Sequence, residues 1–326
     1  MLILDLIDKR IIFELLGNYR VSYQALATKF DLSVNAVKKR IEKLESVGII
    51  RGGSLIPLPA MSGAEDWVAI LAIKEPSTSK ELLDKIGAHP FVHAGSVLTD
   101  GSILCFGFYR GAKDLQEIGT FLRQFPSVEA VEFHTILSEP GKQYELTNSD
   151  LRVLRCLRQT PRMPVKKIAQ LTGLPPRRVK KIIEKLIGEN GSEYVNHLNW
   201  EPQGRAHPNE VGFQFTVLWD LNAGGHTAFI IKIRHAEGVE TRTRIVDILK
   251  TTYPFEFWYS YASAFEPVFF AIFVVEHIRQ SQEIAHMLRQ VPEVVDIYPI
   301  FGYPTKVFRS QVDDYFERIF KKLEPS

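Results

Sequence analysis

Cysteine is nearly absent from this sequence. Cys105 and Cys156 are the two cysteines among 326 residues, and an isolated pair forms neither a disulfide framework nor the CxxC spacing of a zinc site. Long apolar runs are missing as well, since the longest, Pro267 to Val275, has about half the length that a membrane helix needs. These absences argue against a disulfide-rich secreted protein and against a membrane protein.

Signatures of secretion and catalysis are missing too. The opening segment MLILDLIDKR has no basic residue before its short apolar stretch, whereas a signal peptide needs one. No paired carboxylates, catalytic triad or phosphate-binding glycine loop can be recognised, and no two of the nine histidines lie at metal-ligand spacing. We therefore expect a cytoplasmic protein that is not an enzyme, needs no cofactor or metal and has no membrane partner.

Positive charge is scarce outside two segments. Residues 1–51 hold nine Lys/Arg against six Asp/Glu, and residues 146–191 hold eleven against three. The rest of the chain is acidic, with twenty Lys/Arg against twenty-nine Asp/Glu. Two basic segments in an otherwise acidic chain indicate two modules that bind a polyanion.

The two basic segments are copies of one another. VKKRIEKL at residues 37–44 nearly recurs as VKKIIEKL at residues 179–186, an offset of 142. The offset holds without a gap over about forty positions, which indicates duplication rather than chance. Corresponding residues include Asp8 and Asp150, Leu26 and Ile168, Leu32 and Leu174, Val37 and Val179, Ile41 and Ile183, and Leu44 and Leu186.

Each copy has the pattern of three short helices. In the first copy, apolar residues at helical spacing run from Ile7 to Leu16, a second helix runs from about Ser22 to Phe30, and Ser33 caps a third. In the second copy Pro175-Pro176 open the third helix. Two helices joined by a short turn, the second with a basic outer face, describe a helix-turn-helix.

Each copy is followed by strands and helices in the order β-α-β-β-α-β, which is typical of the ferredoxin-like fold. Residues 192–226 hold an extra strand, FQFTVLWDL, for which we see no counterpart after the first copy. The predicted segments are 68–73, 79–88, 92–98, 103–109, 112–124 and 128–136 after the first copy, and 228–233, 239–252, 256–262, 268–275, 278–290 and 294–300 after the second.

The first copy resembles a known family. Residues 4–50, with Asp8, the Leu32-Ser33 turn, the basic helix and Gly48 before Ile49-Ile50, look like the winged helix-turn-helix of the leucine-responsive (Lrp/AsnC) transcription regulators. In that family a ferredoxin-like domain follows, which dimerises and often senses small molecules. The resemblance covers nearly the whole chain twice, so this chain looks like such a dimer joined into one polypeptide.

The resemblance implies an α+β protein with two winged helix-turn-helix domains, each followed by a ferredoxin-like domain. Residues 310–326, which begin with a capping-box pattern at Ser310 and Asp313, form a terminal amphipathic helix that could pair two chains into a homodimer. The predicted domains are 1–60 and 146–200 (winged helix-turn-helix), 61–145 and 201–309 (ferredoxin-like), and 310–326 (terminal helix).

The exposed faces of the two basic helices are the predicted contacts with double-stranded DNA. Asn35 can read the adenine edge, and Lys39 and Arg40 suit guanine or phosphate. The first helix contributes Ser33, Asn35, Ala36, Lys38, Lys39, Arg40 and Lys43, and the second contributes Arg177, Arg178, Lys180, Lys181 and Lys185.

The implied function is a sequence-specific, tandem-fused transcription regulator that reads a pseudo-palindromic site. One alternative is an architectural protein that coats DNA with little sequence preference. Another is an enzyme similar to the siroheme decarboxylases of the same superfamily. Those proteins resemble the two-unit architecture but carry a H-x-Y-x-R-like strand, whereas His93 is followed here by Ala-Gly-Ser-Val. We therefore interpret His93 as structural.

Two further features have competing interpretations. Thr99, Asp100 and Gly101 read as a hairpin turn, since Asp-Gly supplies positive φ angles, while the resemblance places an effector pocket, for example for an amino acid, near this loop. Trp258, Tyr259, Tyr261 and Phe269-Phe270 could stack on bases, but packing between the two ferredoxin-like sheets explains them better.

Overall fold

The computed structural model describes residues 4–137, 145–187, 212–238, 240–302, 305–309 and 311–323. The predicted helices and strands are present, and the α+β fold class is confirmed. None of the described helices is long and apolar enough to cross a membrane. The helices are α1 (Leu6–Gly17), α2 (Tyr23–Lys29), α3 (Val34–Ser46), α4 (Ser79–Gly87), α5 (Gly111–Arg123), α6 (Asn148–Gln159), α7 (Val165–Thr172), α8 (Pro176–Ile187), α9 (Thr241–Thr252), α10 (Ile278–Leu288) and α11 (Gln311–Lys321).

The strands fall into one two-stranded and two larger sheets within the described residues. They are β1 (Ile50–Pro57), β2 (Glu65–Ile73), β3 (Val92–Val97), β4 (Ile103–Tyr109), β5 (Val128–Thr135), β6 (Phe213–Trp219), β7 (Thr227–His235), β8 (Phe257–Ala262), β9 (Val268–Val275), β10 (Val294–Ile300) and β11 (Lys306–Val307).

The chain forms two compact units, and each combines segments from both repeats. The first unit contains Met1–Ser62, Glu139–Gly225 and Asp314–Ser326, and therefore both helix-turn-helix segments. The second contains Gly63–Ser138 and His226–Asp313, and therefore both ferredoxin-like segments. The predicted limits of the individual domains stay a prediction.

Side-chain caps set the helix starts in the first module. Asp5 accepts a hydrogen bond from the Asp8 backbone N–H, and Asp8 accepts one from the Asp5 N–H, which completes a capping box on α1. Ser22 caps α2 and Ser33 caps α3 through bonds of 3.0 and 3.1 Å. Asp31, with φ of 51°, turns the chain between α2 and α3, as an Asx residue can at modest cost.

In the second module the helices also start and end through capping interactions and turn residues, but the residues differ. Thr147 and Asp150 form the capping box of α6. Gly173, with φ of 69°, ends α7 in the left-handed conformation that glycine adopts without strain. Pro176 opens α8, as the sequence predicts. The residues that replace the serine cap therefore still start the second basic helix at the corresponding position.

The strand that we could not assign from sequence is the counterpart of β1. β6 pairs antiparallel with β1 from Gly53 opposite Val217 to Pro57 opposite Phe213. Each of the two strands is followed by a short 3-10 turn and then by the first strand of a ferredoxin-like sheet. The predicted strand is present as β6, but the expectation that it has no counterpart was wrong. Residues 188–211, outside the described part of the chain, separate α8 from this strand in the sequence and shift the repeat offset.

The terminal helix packs inside this chain. Tyr315, Phe316 and Ile319 on α11 are buried in the core of the second helix-turn-helix module. The Arg158 guanidinium lies 4.0 Å from the centroid of the Phe316 ring, a cation–π contact. The expectation that this apolar face pairs two chains was wrong, because α6 and the neighbouring core already cover it. The proposed cap Ser310 lies outside the described residues.

Both ferredoxin-like sheets have the expected topology. The second sheet has the order β10-β7-β9-β8, and the first has the matching order β5-β2-β4-β3, with β11 added at the β3 edge. Lys306 and Val307 of β11 pair with Gly95 and Ala94. A segment from the second repeat therefore covers an edge of the first sheet, and unpaired edges are sites of unwanted association.

One face of each sheet is covered by its own helices, and the two sheets share a cluster on their other faces. That cluster includes Val68 and Leu104 from the first sheet and Val268 and Phe270 from the second, with Tyr261 packed against it. Isolated bridges join Ile136 to Ser263 and Leu98 to Gly302. Sheet-to-sheet packing, rather than base stacking, thus accounts for Tyr261 and Phe270.

A charged group lies in the same contact between the sheets. Lys232 Nζ on β7 is 2.6 Å from Glu132 Oε2 on β5, and His134 Nε2 lies 2.9 Å from Glu132 Oε1. The hydrogen bond with His134, opposed by burial and reinforced by Lys232, lowers the pKa of Glu132 to about 2. Glu132 therefore links the two sheets in its ionised form.

We predict that Glu132 contributes to acid sensitivity. Its folded-state pKa lies below the ordinary value of 4.5, so its stabilisation is present above about pH 4.5 and is lost as the pH falls toward 2. Glu132→Gln should be less stable than wild type at pH 7 and should lose less stability between about pH 5 and 3. Urea melts at several pH values test this, with exposed Glu129→Gln on the same strand as control. Parallel pH profiles for wild type and Glu132→Gln would contradict the assignment.

Candidate nucleic-acid interface

The first basic helix presents most of the predicted residues to solvent. Val37, Ile41 and Leu44 are buried, and this stripe fixes which side of α3 faces outward. Ala36 and Arg40 are half-buried. The exposed predicted residues on this helix are Ser33, Asn35, Lys38, Lys39 and Lys43.

Ser33 has a structural task as well as an exposed position. Its hydroxyl oxygen accepts the hydrogen bond of the Ala36 backbone N–H at 3.1 Å. The hydroxyl proton is left to donate, since a serine carries one donor besides its acceptor lone pairs. Asn35, by contrast, offers both a donor and an acceptor, which reading the adenine edge requires.

Arg40 is engaged by the first helix of its own module. Its Nη1 lies 2.7 Å from both Asp5 Oδ2 and Asp8 Oδ1. Burial opposes the charged form, but the hydrogen bonds that Arg40 donates to Asp8 and Asp5 outweigh it and raise the pKa of Arg40. Arg40 therefore joins α3 to α1. This engagement favours a positioning role, and direct contact with DNA stays a prediction.

The second module has an analogous bond from a different position. Lys185 Nζ lies 3.0 Å from Asp150 Oδ2, and Asp150 is the repeat equivalent of Asp8. By the same offset, however, Lys185 corresponds to Lys43 and not to Arg40. The duplicated module thus keeps a cation on the buried aspartate, but supplies it from one turn further along the helix.

One further lysine in each module forms an ion pair with a glutamate four residues later on the same helix. Lys38 Nζ lies 3.6 Å from Glu42, and Lys180 Nζ lies 3.3 Å from Glu184. Both are i,i+4 pairs on exposed helix faces, where the pair contributes little and exchanges readily for another anion. They remain available to a phosphate.

The strongest cationic surface lies on α8. Arg177, Arg178, Lys180, Lys181 and Lys185 are all exposed. Within the described residues, Arg177, Arg178 and Lys181, like Lys39 and Lys43 on α3, make none of the salt bridges found. The predicted residues therefore lie together on two outward helix faces in one compact unit.

The predicted effector residues form the turn between β3 and β4. Burial raises the pKa of Asp100, but hydrogen bonds from Ser102 and Tyr298 outweigh it and hold the pKa below the usual range. The Thr99 N–H donates to the Phe301 carbonyl. Gly101 has φ of +84°, and a Cβ there would lie 2.3 Å from Pro76 Cβ. The Asp100 carboxylate and the Thr99 N–H are thus hydrogen-bonded to other groups of the protein. Effector binding at this turn stays a prediction.

His93 packs within the first ferredoxin-like segment. Its ring packs against Phe108 with centroids 5.3 Å apart, and burial lowers its pKa. Its Nδ1 is buried with no hydrogen-bond partner among the described residues. Gly95 and Val97 stand where the H-x-Y-x-R-like pattern has tyrosine and arginine. No group of three or more His, Cys, Asp or Glu side chains in the described part of the chain could hold a metal ion.

Sequence reasoning missed a contact between the two modules. Arg20 donates hydrogen bonds to carbonyls of the second module, and Arg162 lies over an aromatic ring of the first. The repeat offset of 142 makes these arginines equivalent, which was the available signal. What a sequence cannot show is that the two copies face each other.

Comparisons with known proteins agree with this geometry. A family profile described as a winged helix-turn-helix DNA-binding domain matches residues 4–51 and 146–190. An uncharacterised HTH-type transcriptional regulator of Pyrococcus abyssi is 26% identical over 145 residues, 44% of this chain and 98% of that protein. The regulatory protein AsnC of Escherichia coli is 34% identical over 61 residues, 19% of this chain and 40% of that protein. The chain contains two winged helix-turn-helix DNA-binding segments and is similar to HTH-type transcription regulators, AsnC among them.

The chain is a tandem duplication. The winged helix-turn-helix profile matches it twice, and the Pyrococcus abyssi protein, covered to 98%, matches 44% of it. A structure with similar overall fold is the crystal structure of the siroheme decarboxylase NirDL, with a TM-score of 0.58, 15% identity and 98% coverage of both chains. At that identity the likeness shows the fold alone.

We predict that two neighbouring cations on α3 have separable roles. Arg40→Ala leaves the buried Asp8 carboxylate without its arginine and should lower the free energy of unfolding by about 1–3 kcal/mol. Lys39→Ala removes an exposed side chain with no salt bridge, and should change stability by less than about 0.5 kcal/mol while weakening DNA binding. Thermal melts and salt-dependent binding of both variants test this. Equal destabilisation by the two substitutions would show that the Asp5–Asp8–Arg40 contact does not matter.

Proposed function

We propose that one chain acts as an intrachain pseudo-dimer that binds a pseudo-palindromic duplex and regulates transcription there. The observation that carries this proposal is that two outward basic helices, α3 and α8, belong to one compact unit whose modules are joined by the β1–β6 pair. Helix-turn-helix dimers bind half-sites about one helical turn apart, or a multiple of it. Here both halves of such a reader are in a single polypeptide.

The protein side of the interface consists of the predicted residues. α3 offers Asn35 for base reading together with Ser33 and Lys39, while the cations of α8 suit phosphates, although an arginine can also pair with guanine. Because the two helices differ, the preferred site should have unequal halves. Action on DNA is consistent with a cytoplasmic location.

Two alternatives remain distinguishable by experiment. An architectural coating protein would spread along a duplex, whereas a sequence-specific regulator would protect one short site in footprinting. A tetrapyrrole-binding enzyme is suggested by the fold shared with the siroheme decarboxylase NirDL, but the strand around His93 lacks the tyrosine and arginine of that pattern. A Soret band on adding siroheme or haem would favour the enzyme, and its absence would favour the regulator.

Effector modulation is a further part of the proposal. The Thr99–Gly101 turn contains a glycine, while the matching loop of the second repeat, residues 262–267, does not. The chain therefore offers this turn once, and an amino acid or related metabolite would bind at most once per chain.

We predict that base reading and phosphate binding separate by helix. Lys181→Ala should lower the slope of log K against log salt by about 0.9 and leave the preferred sequence unchanged. Asn35→Ala should leave that slope unchanged, cost roughly 1–3 kcal/mol on the preferred site and relax preference at one base pair. A duplex selected from a random pool by wild type, and a scrambled duplex, serve as probes in a salt titration.

The matched control for this titration is Lys113→Ala, which removes an exposed lysine of α5 outside the helix-turn-helix unit. It should change neither slope nor preference. If wild type selects no duplex, or if Lys181→Ala changes the preferred sequence while Asn35→Ala changes only the salt slope, the assignment fails.

We predict that any effector binds with a stoichiometry no greater than one. Calorimetric titration of wild type with individual amino acids measures this number. Asp100→Asn weakens the hydrogen bonds that Ser102 and, from β10, Tyr298 donate to Asp100 in the turn, so it should lower the affinity of a ligand bound there. Two equal sites per chain, or an affinity unchanged in Asp100→Asn, would place the effector elsewhere.

A further inference from the structure

The turns between the first two helices of each module face each other. Residues 19–21 lie between α1 and α2, and residues 161–163 lie between α6 and α7. The offset of 142 makes these turns equivalent and pairs Arg20 with Arg162. Equivalent surfaces in contact are what a two-fold dimer interface produces, and here the contact occurs within one chain.

Arg20 bonds to the backbone that flanks its counterpart. Its Nη1 lies 2.5 Å from the Pro161 carbonyl oxygen and 3.0 Å from that of Met163. Its guanidinium carbon lies 5.2 Å from the centroid of the Phe215 ring on β6. Burial, followed by the nearby charge of Arg162, lowers the pKa of Arg20. Arg20 is thus an inward-facing group that contacts both the second module and the strand pair.

Arg162 of the second module contacts aromatic rings of the first module. Its guanidinium carbon lies 4.6 Å from the centroid of the Tyr19 ring and 5.1 Å from that of Tyr23. Its Nε is buried without a hydrogen-bond partner among the described residues. Arg162 therefore acts here through the flat face of its guanidinium, which arginine offers and lysine does not.

The strand pair holds the ring that Arg162 covers. The Tyr19 N–H donates to the Phe215 carbonyl at 3.2 Å. A Cβ on Gly53 of β1 would lie 2.0 Å from Tyr19 Cδ1, so the ring can lie there only because residue 53 is glycine. We call Arg20, Arg162 and Tyr19 the arginine clasp. Its residues contact both modules and the strand pair β1–β6 that joins them.

We propose that the arginine clasp sets the distance and relative rotation of α3 and α8, and so determines the half-site spacing that the chain accepts. Arg20 and Arg162 are in this sense positioning residues, with no contact to the bases. The proposal rests on the proposed function. The β1–β6 pair alone is a two-stranded ribbon, which twists readily, and the clasp removes that freedom.

The first test measures spacing preference. The probe is a duplex selected by wild type from a random pool, with derivatives in which one to four base pairs are added or removed between the halves. Two base pairs move one half by about 7 Å along the axis and about 70° around it. Wild type should therefore prefer the selected spacing at least about tenfold, and in Arg20→Ala the preference should fall below about threefold. The matched control is Arg152→Ala, an exposed arginine of α6, which should keep the wild-type preference.

The second test needs no DNA. Gln24 and Lys166 are exposed equivalent residues, each the second position of its helix, α2 or α7. Nitroxide labels on Gln24→Cys and Lys166→Cys, with half-buried Cys156 replaced by serine, report the distance between the modules by pulsed electron paramagnetic resonance. Wild type and Arg152→Ala should give one narrow distribution, and Arg20→Ala should give a broader or shifted one.

These tests separate failure of the inference from failure of the proposed function. If wild type selects no duplex, the proposed function is overturned, and the spin-label distances still decide whether the clasp fixes the modules. If Arg20→Ala keeps both the wild-type spacing preference and the narrow distribution, the clasp proposal is overturned. If Arg20→Ala does not fold, Arg20→Lys replaces it in both tests. Lysine keeps the positive charge but lacks the planar guanidinium that donates to both carbonyls, so its spacing preference should be weaker than that of wild type.

Discussion

Pairing of β1 with β6 is the contact on which the first unit depends. The two strands come from different repeats, more than 150 residues apart in the chain, and they share a ladder that ends with Pro57 opposite Phe213. Leu55, Phe213 and Phe215 of this ladder are buried in the same core as the second module and α11. Gln214 also donates a hydrogen bond to the Leu16 carbonyl at the end of α1. The ladder therefore contacts both modules and joins them within the first unit.

Fusion of two copies has let equivalent positions diverge without loss of the fold. The buried aspartate of each module has a cation, but Arg40 supplies it in the first and Lys185 in the second. A serine cap in one copy is replaced by prolines in the other. Separate identical chains could not differ in this way. The physical result is one unit with two unequal exposed helix faces, α3 and α8, the second of them more basic.

Local signals in the sequence predicted most of the fold. Helix caps, apolar periodicity and Gly or Pro at helix ends act over a few residues, so the starts of α3 and α8 and the limits of strands such as β4 and β9 could be predicted. Contacts between distant segments could not. β6 had no recognisable counterpart because the repeat offset changes from 142 in the helix-turn-helix segments to 162 in β2 and β7. No local signal shows against which segment α11 packs.

The candidate site likewise has some features that follow from local sequence signals and others that depend on contacts between distant segments. Exposure of Asn35, Lys39 and the α8 cations follows from the buried stripe of each helix, and was predictable. Half-burial of Arg40 was not predictable, because its partners Asp5 and Asp8 lie at the start of another helix, α1. The inward role of Arg20 was equally hidden, since nothing in its neighbouring residues shows that the second module's carbonyls lie within hydrogen-bond distance.

The central claim is that a single chain provides both halves of a duplex reader. Native mass spectrometry of the protein with a duplex that it selects measures the number of chains per duplex directly. The structure predicts one chain on a duplex that carries both half-sites, across the range of protein concentration in which the complex forms. Two chains on each such duplex, with no single-chain complex at any ratio, would contradict this account.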